Sequence, residues 1–250
     1  MLIENDRNRG GRKALVIVGP TGSGKTGMAI DVALELGGEV ISADCRAIYR
    51  GMDIGTAKPT AEEMRGVPHF GIDLVDPGER FTAADFKEYG LARAAEIRAR
   101  GKLPIIVGGT GLYVDGLIFD YHFDDIVKKT CSDRIEMSSS FVIVGIKWER
   151  DELRARLEER ADKLFAQDIV GETRRLVQKY GWGSQAMKSN IYPIVWRMMN
   201  GGVTEEEAKR LFVLADWHLA KRQLTWFARN RQIVWLRLDE MKEYIYNLYK

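Results

Sequence analysis

The stretch Ala14-Leu-Val-Ile-Val-Gly-Pro-Thr-Gly-Ser-Gly-Lys-Thr26 decides the fold. Its first five residues are all apolar, as in a strand buried on both faces, and helical spacing takes over from about Lys25 to Leu36. Between them Gly19, Pro20, Thr21, Gly22, Ser23, Gly24, Lys25 and Thr26 follow the spacing GxxxxGK[ST]. In that setting, successive backbone N–H groups and the positive end of a helix hold phosphate oxygens. Lys25 adds a point charge, and the Thr26 hydroxyl is placed to ligate Mg²⁺. A glycine-rich turn without a ligand is the alternative, and the strand–loop–helix context argues against it.

Outward from this loop, short apolar runs alternate with helical stretches. Glu39–Ala43 reads as a second strand, and Arg50–Arg80 is loop-like, rich in Gly, Pro and Asp. Ala83–Arg100 reads as a helix closed by Gly101, and Lys102–Val107 as a strand running into Gly108-Gly109-Thr110-Gly111. Further on, Phe141–Trp148 predicts a strand and Glu149–Tyr180 one charged helix, followed by a turn at Gly181–Ser184. The helix from Thr204 to about Ala228 starts with a capping-box pair, Thr204 and Glu207; a strand over Gln232–Leu238 and a terminal helix complete the chain. This alternation predicts an α/β fold: a doubly wound parallel sheet with its ligand site at the strands' C-terminal ends. Residues 1–123 and 141–250 would form its two parts, with 124–140, poor in apolar residues and ending in three serines, as a linker.

Composition narrows the function classes. The chain has 250 residues, 45% hydrophobic and 30% charged, with a formal net charge of +2, which suits a globular unit and excludes a disordered one. The charge is uneven: 18 basic against 21 acidic residues over 1–140, and 20 against 15 over 141–250, so a polyanion would meet the second part. Cys45 and Cys131 are too few for a disulfide framework, and His69, His122 and His218 lack metal-site spacing. The polar start of the chain does not read as a signal peptide, and no apolar run reaches membrane-spanning length. The expected compartment is the cytoplasm, with no membrane and no protein partner.

Asp44 is the only acid directly following a candidate core strand. It would lie beside the phosphate loop, either as a base or as a turn cap for Cys45–Tyr49. From Trp217 to Arg237 the charged residues are all basic and are interleaved with Trp217, Trp226, Phe227 and Trp235. Such a stretch suits RNA contact, although Leu219, Gln223 and Trp226 or Phe227 also fall on a face that would meet the sheet.

With these residues in place, the chain resembles the tRNA dimethylallyltransferase family. The resemblance covers most of the chain and rests on four collinear motifs: Gly19–Thr26, Ile41–Pro59, Val107–Tyr113 and Ala220-Lys-Arg-Gln-Leu-Thr-Trp-Phe227. It implies a P-loop NTPase-like core and transfer of a dimethylallyl group from its diphosphate to N6 of the adenosine next to the anticodon. Implied partners are dimethylallyl diphosphate and a tRNA anticodon stem-loop, with Mg²⁺ as cofactor. Asp44 would be the base, and Thr21 through Thr26 would hold the diphosphate, helped by Arg160. Contacts to tRNA would come from Asp44, Cys45, Arg46, Ala47, Thr110, Lys221, Arg222, Gln223 and Trp226. The target adenine would be flipped into a channel, with Gly108, Gly109 and Gly111 giving it room.

The sequence departs from the family pattern at named places. The family's long helical insertion is reduced to about 124–140. Gly-Tyr-Arg reads Ile191-Tyr192-Pro193, Thr-Arg-Gln reads Asp216-Trp217-His218, and Cys45 replaces a serine, most simply as a packing residue. Three other functions compete: prenylation of a free adenine nucleotide, a small-molecule kinase, and a non-catalytic RNA-binding relative.

Overall fold

The computed structural model describes residues 12–119, 137–188 and 191–250. Its sheet is parallel, six-stranded, and ordered β3-β2-β4-β1-β5-β6. The strands are β1 (Ala14–Val18), β2 (Gly38–Ser42), β3 (His69–Phe70), β4 (Leu103–Gly108), β5 (Phe141–Ile146) and β6 (Val234–Leu236). Central β1 pairs with β4 at Leu15–Ile105 and with β5 at Leu15–Val142. The chain builds one side of β1 first and then crosses to the other, which places the switch point at the C-terminal end of β1.

Strand alternation divides the core. Ala14, Val16 and Val18 face one side, with α3 (Ala83–Ala99) and α4 (Gly111–Ile118). Leu15 and Ile17 face the other, with α1 (Lys25–Leu36) and α9 (Leu238–Tyr249). Each such Leu, Ile or Val contributes roughly 1.5–3 kcal/mol by leaving water, which is why the run tolerates no polar residue. Phe86 of α3 stacks on Tyr113 of α4 with ring centroids 4.2 Å apart.

A third apolar cluster stands beside the sheet. It joins α5 (Arg150–Phe165), α6 (Ile169–Tyr180), α7 (Tyr192–Met199) and α8 (Glu205–Phe227) to Ile48, Tyr49 and Met52. The predicted helix Glu149–Tyr180 is therefore two helices. Asp168 ends the first run by capping the second, its Oδ1 accepting from Gly171 N at 2.9 Å. Helix α7 was not expected; Pro193 lies in its first turn, where the missing N–H costs nothing, so it starts a helix. The loop-like span Arg50–Arg80 holds α2 (Ala61–Met64) and the edge strand β3. The Thr204–Glu207 capping box is present. Most of the expected 124–140 linker lies outside the described residues.

Candidate active site

The phosphate loop turns between β1 and α1 with Gly22 and Gly24 at positive φ, 75° and 87°, where a side chain would be strained. A Cβ on Gly22 would also come within 2.7 Å of Leu157, so α5 packs directly on the loop. Arg156 Nε donates to Gly22 O at 2.8 Å, and Trp148 Nε1 donates to Ser23 O at 3.0 Å. Nothing caps the first turn of α1 by a side chain, and no acid lies in that turn. Its N–H groups and positive dipole end are thus available to an anion. The buried Ser23 hydroxyl has no hydrogen-bond partner among the described residues. Lys25 Nζ donates to Pro20 O at 2.8 Å, and burial lowers its pKa to about 8 against the opposing pull of Asp44.

Asp44 follows β2 at the C-terminal edge, half-buried, and its field reaches Lys25. Its Oδ1 accepts from Arg46 N at 2.8 Å, so it makes the expected turn while its other oxygen remains for chemistry. Thr110 Oγ1 accepts from Cys45 N at 3.0 Å, and Ala43 O accepts from Thr110 N at 3.3 Å. These bonds zip the Asp44 turn to the end of β4. Burial pushes the Cys45 thiol up, which suits packing and not nucleophilic attack.

Arg160 of α5 and Asp216 of α8 close the site from the helical side, with Arg160 Nε 3.3 Å from Asp216 Oδ2. Thr21 Oγ1 lies 3.5 Å from the same oxygen, and Thr21 N donates to Gln223 Oε1 at 2.7 Å. Lys25, Asp44, Arg160 and Asp216 therefore form one charged cluster around the loop. Thr26 and Asp44 also share a small cavity of about 50 Å³ with Ser42, Lys58 and His69. That space admits an ion or a water or two, and hydroxyl and carboxylate oxygens are ligands that Mg²⁺ accepts alongside phosphate oxygens. Among the described residues, no group of three or more His, Cys, Asp or Glu forms a metal centre.

Other predicted residues are placed differently. Gly108, Gly109 and Gly111 do not open a channel: a Cβ on them would overlap Ala43 O, Gln223 and the Trp226 ring, so this chain fills their space itself. Gln223 bridges Thr21 N and, through Nε2 at 3.0 Å, Gly109 O. Trp226 Nε1 donates to Asp115 Oδ2 at 2.8 Å, with Arg229 stacked 3.9 Å over its ring. Both side chains thus spend their polar ends inside the protein. Ala47 is buried, 5% exposed, and lines the small cavity. Lys221 and Arg222 are exposed on α8. Trp217 carries Arg150 and Lys221 over its ring at 5.5 and 5.9 Å, beside a groove of about 520 Å³ between α5 and α8 that includes no phosphate-loop residue.

Two buried acids were missed by the sequence reading. Asp216 is the last acid before the basic stretch, and that contrast in an apolar helix face was the available signal. Glu172 accepts from the N–H groups of Asp53, Ile54 and Gly55 at 2.7–2.9 Å and from Tyr192 OH at 2.8 Å. It pins the Ile41–Pro59 segment to α6 and α7, and nothing in its local sequence marks it.

Loop, switch point and charged cluster define a P-loop NTPase-like α/β protein. The IPP transferase family profile matches residues 47–139 and 122–231, and that of isopentenyl transferases matches 12–78. The tRNA dimethylallyltransferase of Desulforudis audaxviator is 34% identical, covering 90% of this chain and 92% of its own; that of Bacillus cytotoxicus is 33% identical, with 91% of each covered. The solved tRNA isopentenylpyrophosphate transferase of Bacillus halodurans superposes with a TM-score of 0.82 at 32% identity, covering 95% of this chain and 97% of the other. A eukaryotic dimethylallyltransferase acting on tRNA shares the fold at 22% identity, TM-score 0.70, covering 86% and 70%. The chain belongs to the IPP transferase family. The alignment to the Desulforudis relative spans 285 positions, more than the 250 residues here, so the relative is longer within the matched region.

Proposed function

We propose that the chain transfers a dimethylallyl group from dimethylallyl diphosphate to N6 of the adenosine next to the anticodon of tRNA. The carrying observation is the convergence of Asp44 with Lys25 and Arg160 at one sheet edge, a base beside an anion site. In the reaction the C1–O bond breaks, the electron pair leaves with diphosphate, N6 bonds to C1, and the N6 proton goes to Asp44. Diphosphate charge grows as that bond breaks, and the α1 N–H groups, Lys25 and Arg160 are aimed at it. The exocyclic amine is a weak nucleophile, so a fixed carboxylate and an enforced approach both lower the barrier. Mg²⁺, held by Thr26 and diphosphate oxygens, would neutralise further charge. No helix among the described residues is long and apolar enough to cross a membrane, and the tRNA substrate makes the cytoplasm the expected compartment.

Exposed Lys221 and Arg222 support RNA backbone contact, and Trp217 supports stacking. A free adenine nucleotide as acceptor is the second reading, favoured by the short 124–140 segment. The test is transfer of labelled dimethylallyl to total tRNA and, in parallel, to AMP and ATP. Label in tRNA that disappears when the target adenosine is replaced supports the first reading. Label in free nucleotide alone replaces it with the second, and label in neither defeats both.

A further inference from the structure

One face of α8 meets the phosphate loop twice. Asp216 and Gln223 lie two turns apart, with buried Ala220 between them, and both reach Thr21. Gln223 fixes the backbone there. Asp216 has no role in the transfer described above, yet it is a carboxylate only 4% exposed inside a site for an anion. Buried acids are kept where they hold a partner.

We propose that Asp216 is a positioning residue for the diphosphate: it holds Arg160 and the Thr21 hydroxyl at the rim of the phosphate loop so that both face the leaving group. The inference rests on the reading that the loop takes a diphosphate. Asp216 approaches Arg160 through Nε, which leaves the terminal amino groups of the guanidinium for phosphate oxygens. Nε is enclosed and, among the described residues, makes no hydrogen bond, although it lies 3.3 Å from Asp216 Oδ2. Asp216 also favours the charged form of Lys25 while Arg160 opposes it, so the carboxylate lets two cations converge on one loop.

A carboxylate here also repels an incoming anion, and the sign of its net effect decides the matter. An orienting Asp216 strengthens diphosphate binding; one that only balances charge weakens it. The probe is inorganic pyrophosphate with Mg²⁺, followed by titration calorimetry on the full chain, wild type against Asp216→Ala, Asp216→Asn, Arg160→Ala and the double Ala variant. Loss of the oriented contact should weaken binding about tenfold in Asp216→Ala, and Asp216→Asn, which keeps the shape and one acceptor oxygen, should recover most of it. Because the acid acts chiefly through the arginine, its hydrogen bond from Thr21 being long at 3.5 Å, the double variant should be within about twofold of Arg160→Ala alone. In turnover, the KM for dimethylallyl diphosphate should rise while the KM for the acceptor stays. Tighter pyrophosphate binding by Asp216→Ala, additive losses in the double variant, or equal rises in both KM values would overturn the proposal. Thermal melts separate a folding defect, and the isosteric Asn variant carries the test if the Ala variant does not fold. Pyrophosphate binding needs no acceptor, so the proposal can fail while the prenyl-transfer reading survives; a wild type that binds no pyrophosphate sinks both.

Discussion

Raising the pH should release pyrophosphate because Lys25 loses its proton early. Burial brings the lysine to about 8 in the unliganded protein. A bound diphosphate favours the charged ammonium, so the charged form is the binding-competent one. With a pKa of about 8, roughly nine tenths of the lysine is charged at pH 7, half at pH 8 and a little under one tenth at pH 9, so the apparent Kd should rise about tenfold between pH 7 and 9. That is about 1.4 kcal/mol. Pyrophosphate and Mg²⁺ titrate over the same range, so the control is Lys25→Arg, whose guanidinium stays charged throughout. Calorimetry at fixed Mg²⁺ from pH 6.5 to 9.5 gives two curves, and their ratio removes the ligand's own ionisation. The ratio should bend near pH 8, and it should bend at lower pH in Asp216→Asn, because that carboxylate helps to keep the proton on Lys25. Parallel curves for wild type and Lys25→Arg would refute the assignment of a perturbed lysine to the anion site.

Asp44→Ala should lower kcat by about 10²–10⁴ while leaving pyrophosphate binding largely intact; unchanged turnover would remove Asp44 as the base. Burial pushes Asp115 up to about 6, so the folded state binds its proton more tightly than the unfolded chain does. Its stabilising contribution is then full below about pH 4 and lost as pH rises through 6. Asp115→Asn, which keeps an acceptor for Trp226, should flatten that loss and raise stability at pH 7 by about 1–2 kcal/mol, allowing for partial exposure; urea melts at pH 4 and 7 read it. Gly111→Ala would push a methyl into the Trp226 ring and should cost about 1–3 kcal/mol, seen as a lower Tm. Glu172→Ala strands three backbone donors and the Tyr192 hydroxyl and should cost about 3 kcal/mol or more; a variant as stable as wild type would show that the knot is dispensable.

The parts of the fold legible in the sequence are those governed by local pattern. Both-face burial makes Ala14–Val18 a continuous apolar run, and the loop spacing fixes where α1 starts. Capping chemistry located Thr204, because the box is written within four residues. Tertiary decisions were not legible. The break at Asp168 depends on α6 finding an apolar face against α7, and Glu172 acquires its meaning only when Asp53–Gly55 fold over it from more than a hundred residues away. The glycines of Val107–Tyr113 show the same limit. Sequence says that something approaches closely there; only packing says that it is Gln223 and Trp226.

That substitution of occupant bears on how the reaction is divided over the chain. Among the described residues, the groups turned toward the diphosphate site belong to the β1–α1 loop, the first turn of α1 and α5, and Gln223 ties α8 to both Thr21 and Gly109. Acceptor recognition differs, because Gln223 and Trp226 spend their polar ends on Thr21, Gly109 and Asp115 inside the protein, leaving exposed Lys221 and Arg222 and half-buried Trp217 as the RNA-facing candidates on α8. Reversing the charge of Lys221 and Arg222 together should then weaken tRNA binding and lower its salt slope by about 2, at about 0.9 per lost phosphate contact, while pyrophosphate affinity is unchanged. An unchanged slope in filter-binding from 50 to 200 mM salt would move the RNA-binding face off α8.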